Sequence, residues 1–290
     1  MIRFSNGHVF EYMAASGALG FDGQGWPWEK MLGLARLPGR KSSLFDPSLF
    51  TVVLKTITLP PRPGHLLAVR FIDGGVVNAM RLGNKGLDWF VEKIGPKINS
   101  TKIPSVGSIF GEVGELEIRA QALNDFDLVG LEINGSCPNT ETDILCNPAK
   151  VIKSCEVVKK NSRFPLILKL SVAHDTEQIV KGVEDFIEAF SINSVPWEIA
   201  FPNRRSPLAN LGGGGVSGKV VQPFTWELVK KLATLTSIPV IGPSVWDFDD
   251  LKKIRGIGAK AISFGSIFLY HPWRPTLYVR QEQKLKQLRV

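Results

Sequence analysis

Short runs rich in Val, Ile, Leu and Phe punctuate this chain, and between them lie longer stretches whose apolar residues recur at helical spacing. The runs predict strands over 11–16 (EYMAAS), 50–56 (FTVVLKT), 103–110, 128–134, 165–171 (PLILKLS), 197–203 (WEIAFPN), 238–244 (IPVIGPS) and 261–267 (AISFGSI). The intervening spacing predicts helices over 87–94, 113–125, 148–160, 223–235 and 247–255, with a short one over 31–35. A further helix is capped by Asp175 and runs to about Phe190, and a last basic one reaches Leu288. Residues 57–80 are broken by Pro60-Pro61, Pro63-Gly64 and Gly74-Gly75. They read as an excursion carrying a small hairpin (66–71 and 76–80) over the mouth of the fold. Eight strands alternating with helices predict an α/β fold, a parallel (β/α)8 TIM barrel, in one domain over 1–290. The competing open doubly wound sheet usually carries GxGxxG after its first strand, and no such motif stands here.

In such a barrel the chemistry gathers at the carboxyl ends of the strands. The expected ends are Ser16, Lys55, Asn134, Lys169, Asn203, Gly242 and Gly265. The stretch 131–140 (LEINGSCPNT) concentrates most of the polar function: a strand that delivers Asn134, Ser136, Cys137 and Asn139 within six residues. Pro138 removes a backbone donor and holds Cys137 extended, so the thiol and amides point at something planar and polar. Cys137 therefore reads as a nucleophile or base, whereas Cys146 and Cys155 read as structural. Lysine is depleted in strands, yet Lys55 and Lys169 each end an apolar one. They either snorkel to the rim or supply fixed positive charge for an anionic substrate or an electron-rich cofactor.

Composition narrows the class. With 290 residues, 44% hydrophobic and 21% charged, the chain can bury a large core and is not a disordered one. No apolar run approaches the ~18 residues of a membrane span, and the first residues lack a signal-peptide pattern. A cytoplasmic protein is expected, with no membrane partner. Three cysteines without CxxC spacing fit a reducing compartment, and His8, His65, His174 and His271 show no metal spacing. The net charge of +8 is spread over helix faces, so nucleic acid is not an expected partner. The glycine-rich loop 212–218 (GGGGVSG) allows close backbone approach to a ligand, and Gly265-Ser266 suits the phosphate position after the last strands of a barrel.

LEINGSCPNT resembles the signature segment of the dihydroorotate dehydrogenases, and weaker similarities follow in that family's order. Ala15-Ser16-Gly17 resembles its first flavin-contacting turn, Lys55-Thr56 its lysine segment, and 77–80 (VNAM) with Asn84 and Gly86 its substrate loop. The segments 106–111 (VGSIFG), 168–170, 214–218 (GGVSG) and 258–266 resemble its third strand, its flavin-contacting lysine and its late phosphate-binding turns. The resemblance implies an FMN-dependent enzyme that oxidises dihydroorotate to orotate in pyrimidine biosynthesis, with Cys137 as base and hydride passing to the flavin. It implies cofactor contacts from Ala15, Ser16, Gly17, Lys55, Thr56, Asn134, Lys169, Ser217, Gly218, Gly242, Ser244, Gly265 and Ser266. Substrate contacts would come from Lys55, Asn78, Met80, Arg81, Leu82, Asn134, Asn139 and Asn203. A cysteine base resembles the soluble class 1 enzymes, which are homodimers or carry an electron-transfer partner subunit.

Four places depart from the family pattern, one of them His65, which replaces the Asn usual after Gly64. Pro243-Ser244 replaces a Gly-Gly pair, Arg81 replaces a small residue, and 201–204 (FPNR) stands where the sixth strand should end in Asn followed by Ser or Thr. Two other readings stay open on the residues alone: a related flavin barrel acting on another cyclic amide or pyrimidine, and a non-catalytic anion-binding barrel.

Overall fold

The computed structural model describes residues 1–34, 43–65, 67–135 and 147–288. Two short antiparallel strands, β1 (Ile2–Arg3) and β2 (Val9–Phe10), precede β3 (Tyr12–Ala14). Helix α1 (Pro27–Leu34), strand β4 (Thr51–Val53), the hairpin β5 (Val69–Ile72) and β6 (Gly75–Asn78), and helix α2 (Gly86–Lys93) follow. A regular alternation then runs through β7 (Ser105–Ile109), α3 (Val113–Leu123), β8 (Gly130–Asn134), α4 (Pro148–Asn161), β9 (Leu166–Leu170), α5 (Thr176–Val183) and β10 (Ala189–Ile192). After β11 (Val195–Pro196), α6 (Trp197–Ala200) and β12 (Gly215–Gly218) it resumes with α7 (Gln222–Leu235), β13 (Ile241–Gly242), α8 (Asp250–Ile257) and β14 (Ala261–Phe264). Helices α9 (Ile267–Tyr270) and α10 (Arg274–Gln287) end the described chain.

Eight parallel strands lie in the order β10–β9–β8–β7–β4–β3–β14–β13. The two ends of that sheet meet, because Phe190 bridges Val240 in parallel and its amide donates to the Pro239 carbonyl at 3.0 Å. The result is the expected (β/α)8 barrel. Beside it lies a four-stranded antiparallel sheet, β11–β12–β6–β5. The 57–80 excursion supplies two of its strands, and the glycine-rich 212–218 stretch forms the third, with Ser217 opposite Val76.

The period-two alternation of a strand sorts these residues into layers. Met13, Val53, Val106, Ile167, Ala189, Ile241 and Ala261 form one apolar cluster inside the barrel, plugged by Ile2 and Phe10 from the first two strands and Phe4 from the turn between them. Their neighbours along the chain, such as Ala14, Val52, Leu54, Leu131, Ile133, Leu166, Leu168 and Phe264, face outward into the helix layer. Two residues further along each strand the interior turns polar: Lys55, Ser108, Glu132, Lys169, Ser191 and Ser263. A buried Val or Leu contributes ~1.5–3 kcal/mol, so this upper layer is not built for stability.

Three expectations need correction. The helix after Asp175 stops at Val183 rather than Phe190, and residues 189–192 form the sixth barrel strand. Ile179, Val183, Ile187 and Phe190 recur at helical spacing, and no Gly or Pro stands between Val183 and Phe190, so the pattern mimics a longer helix. The stretch 197–203 is a single helical turn, with the Phe201 amide donating to the Trp197 carbonyl at 2.7 Å, and not a strand. The hairpin strands lie at Val69–Ile72 and Gly75–Asn78, turning on Asp73-Gly74, where Gly74 takes a φ of 67°. Among the described residues no helix is long and apolar enough to cross a membrane.

Candidate active site

At the carboxyl end of the barrel the polar layer forms one continuous network. Its centre is Glu132, fully buried in β8. The Glu132 carboxylate accepts from Ser108 Oγ at 3.2 Å and Lys169 Nζ at 3.3 Å through Oε1, and from Ser191 Oγ at 3.0 Å through Oε2. Register explains the convergence: Ser108 pairs with Glu132 across β7 and β8, and Ser191 with Lys169 across β9 and β10. Because Ser108 gives its proton to Glu132, the Thr56 hydroxyl 2.9 Å away is the donor to Ser108. Asn134 Nδ2 and the Ser16 hydroxyl lie 3.4 and 3.0 Å from Thr56 Oγ1. Six separate strand ends or turns are thereby tied together. Asn134 Oδ1 is buried and accepts from nothing among the described residues.

Lys169 is 7% exposed, so it does not snorkel to the rim; it sits in the barrel interior beside its register partner Asn134. Lys55, two residues beyond interior Val53, runs along the turn Ala15-Ser16-Gly17. A Cβ built on Gly17 would lie 3.2 Å from Lys55 Cδ, and Gly17 has a φ of 74°. That turn is pinned by the Ala15 amide to the Phe264 carbonyl (2.8 Å) and by Trp26 Nε1 to the Gly17 carbonyl (3.3 Å).

The substrate-loop candidates lie on the excursion. Asn78 ends β6 opposite Gly215. Met80, Arg81 (φ 58°) and Leu82 follow, and Leu82 packs on Phe110 at the end of β7. Asn84 closes the loop: its carbonyl accepts from the amides of Gly86 (2.8 Å) and Thr58 (3.3 Å), and its amide donates to Leu82 O (2.6 Å). Behind β7, the fully buried Arg119 donates to the Phe110 carbonyl and to Glu115 at 2.6 Å. Burial pulls that guanidinium below its ordinary range, and Glu115 partly offsets it.

The late segments separate in role. A Cβ on Gly218 would sit 2.6 Å from the Gly74 carbonyl, so this glycine is required by the hairpin beside it. On Gly242 a Cβ would meet Ile254 at 2.5 Å, which makes it a strand–helix packing position. Ser244 occupies the left-handed region at φ 62°. Its hydroxyl accepts from Thr225 Oγ1 at 3.1 Å and its carbonyl accepts from Gln222 at 2.9 Å. Buried Asp250 braces the same turn, accepting through Oδ2 from the amides of Trp246 (3.0 Å) and Asp247 (2.9 Å) and from Gln222 (2.8 Å). Among the described residues the amides of Ser244, Val245, Gly265 and Ser266 donate to no backbone carbonyl.

Cys137, Ser136 and Asn139 lie outside the described residues. Asn203 falls in an exposed turn after α6, away from any strand end, because the strand expected to present it is displaced by several residues. The residue that does follow the sixth strand is Asn193, with Ser194 after it, the Asn–Ser order expected there. Glu132, Ser108, Ser191 and His174 also escaped the sequence reading. His174 is buried beside Lys169's strand, its Nδ1 accepting the Ser171 amide at 3.0 Å. The available signal was an acid in mid-strand between Leu131 and Ile133, which a barrel interior alone can host. Among the described residues no cluster of His, Cys, Asp or Glu could hold a metal, and Cys155 is a free buried thiol whose ionisation burial strongly opposes.

A parallel barrel with a buried Lys169, a half-buried Lys55 and carboxamides at its mouth defines the class: a (β/α)8 enzyme. Residues 37–282 match the family model described as dihydroorotate dehydrogenase, and the chain belongs to that family of oxidoreductases. It is 28% identical over 270 residues to the catalytic subunit of dihydroorotate dehydrogenase B (NAD(+)) of Bacteroides thetaiotaomicron, covering 90% of this chain and 84% of that one. The corresponding catalytic subunit of Desulforudis audaxviator is 30% identical over 270 residues, covering 90% and 83%. The fold is similar to the ligand-free crystal structure of the dihydroorotate dehydrogenase of Eimeria tenella. That similarity has a TM-score of 0.67 at 16% identity, over 92% of this chain and 81% of that one.

Proposed function

We propose that this protein oxidises dihydroorotate to orotate with FMN held over the barrel mouth, in a single domain. The observation that carries the reading is the buried polar floor: Lys169, fixed by Glu132 and flanked by Asn134 and Thr56, in a chain of this family. The residues present fit the cofactor. Asn134 Oδ1 is an orphaned buried acceptor suited to a ligand N–H. Gly17 lets its turn lie against Lys55, and Gly135 lets the end of β8 pass the Lys169 carbonyl, from which a Cβ would lie 2.9 Å. The uncommitted amides of Ser244, Val245, Gly265 and Ser266 suit a phosphate.

When bound, FMN supplies the hydride acceptor. Lys169 holds positive charge where negative charge develops, and Lys55 reaches the same space along the Ala15-Ser16-Gly17 turn. Asn78, Asn134, Asn139 and Asn193 bind and orient the planar substrate, with Asn193 taking the part first assigned to Asn203. Met80, Arg81 and Leu82 line its entry, and Asn84 holds that loop. Cys137 takes a proton from a substrate ring carbon, help worth ~10²–10⁴-fold. Ser217 and Gly218 bring β12 alongside the cofactor, and Gly242 acts indirectly by seating β13 on α8. Because the relatives are described as catalytic subunits, electrons leave through a partner subunit, and the protein works in the cytoplasm.

The visible spectrum of purified protein, before and after anaerobic dihydroorotate, tests this. A flavin band that bleaches on addition, and bleaches ~10²–10⁴-fold more slowly in Cys137→Ala, is expected. A flavin band that dihydroorotate leaves unchanged overturns the substrate, and a colourless protein that FMN does not reconstitute overturns the cofactor.

A further inference from the structure

Glu132 is fully buried below the mouth, and the chemistry above gives it no role beyond its contact with Lys169. A lone carboxylate at that depth is costly to bury, so its presence calls for a partner that needs it. Three groups donate to it, two of them neutral hydroxyls, of which Ser108 also links it through Thr56 to Asn134. The third is the Lys169 ammonium. A lysine stem has four rotatable bonds, and one 3.3 Å bond to a fixed acceptor selects among its rotamers. Ser191, the register neighbour of Lys169, and Ser108, that of Glu132, hold the carboxylate from two sides.

We infer that Glu132 is a positioning residue for Lys169: it fixes the ammonium at the barrel mouth and offsets part of its charge, so that the field met by a bound ligand is that of the pair. Lys169 alone would present a full positive charge, free to swing away from the ligand. The Glu132–Lys169 pair presents a smaller, immobile one. The effect on the cofactor rests on the FMN reading above, whereas the pairing itself does not.

The test is a double-mutant cycle with Glu132→Gln, Lys169→Met and both together, read in two ways. Glutamine keeps the size of Glu132 and an acceptor oxygen while removing the charge. In the apoprotein, each single substitution lowers the melting temperature and the double variant loses less than the two losses combined. Additive losses would overturn the pairing, whether or not the protein binds FMN. In the FMN-loaded protein the midpoint potential of the flavin is measured by dye equilibration. Glu132→Gln should raise it, because the unopposed ammonium favours the electron-rich reduced ring, and Lys169→Met should lower it. In the Lys169→Met background, adding Glu132→Gln should shift the potential far less than it does alone, since no ammonium is left for the carboxylate to hold or offset. An unchanged potential in Glu132→Gln alone, or an equal shift in both backgrounds, would show that Glu132 is merely structural or acts directly, and either result overturns the inference. Protein that takes up no FMN refutes the cofactor reading and leaves the apoprotein cycle standing as the test of the pair.

Discussion

Asp250 offers a quantitative test of how the turn after the seventh strand is built. Its Oδ2 alone satisfies the amides of Trp246 and Asp247 and one N–H of Gln222, and the residue is 2% exposed. Asp250→Ala leaves the two backbone donors without an acceptor. Gln222 still reaches the Ser244 carbonyl. Two orphaned donors at ~1–2 kcal/mol each give a loss of ~2–4 kcal/mol. A chain of this length unfolds with an entropy of ~0.6 kcal/mol/K, so the melting temperature should fall by about 3–7 °C. Asp250→Asn can place its carbonyl oxygen where Oδ2 stands and should lose less than about 2 °C. Scanning fluorimetry or calorimetry of the three apoproteins decides the matter. The same turn carries Ser244 at positive φ, so Asp250→Ala should also weaken FMN uptake in a fluorescence titration. An alanine variant melting with the wild type, or an asparagine variant as damaged as the alanine one, would refute the bracing role.

Two further outcomes follow from other sites. Burial pushes the Glu29 carboxyl up to about 7, against the hydrogen bond from the Trp26 amide. A folded-state value above the unfolded one favours folding while the group is protonated, and that contribution fades between roughly pH 4.5 and 7. Glu29→Gln should therefore match the wild type at pH 5 and melt higher at pH 8, and an equal difference at both pH values would contradict it. Asn193→Ala should weaken orotate binding in a flavin-difference titration while Asn203→Ala leaves it unaltered. The reverse order would restore Asn203 as the sixth-strand contact.

The alternation of apolar runs with amphipathic stretches sufficed to define a parallel eight-stranded barrel, because buried parallel strands and their crossover helices carry distinct periodicities. It also sufficed to bring Ser16, Lys55, Asn134 and Lys169 to one end, since strand ends in a barrel share a rim. It failed where two elements share one spacing. Ile179, Val183, Ile187 and Phe190 satisfy a helix face and an α5–β10 boundary equally well, and the choice is made only when Phe190 bridges Val240, just before β13, to close the barrel. The error moved the sixth strand and took Asn203 for Asn193. The glycines of 212–218 allowed a loop or a strand, and only pairing with the hairpin made Gly215–Gly218 a strand. Least legible was Glu132. Along the chain it is one acid between two apolar residues, and its meaning comes from Ser108, Lys169 and Ser191, which lie up to 59 positions away and reach it through register across three strand pairs. Local sequence sets what a segment prefers to be, while the partners of a buried charge are set by which strands become neighbours.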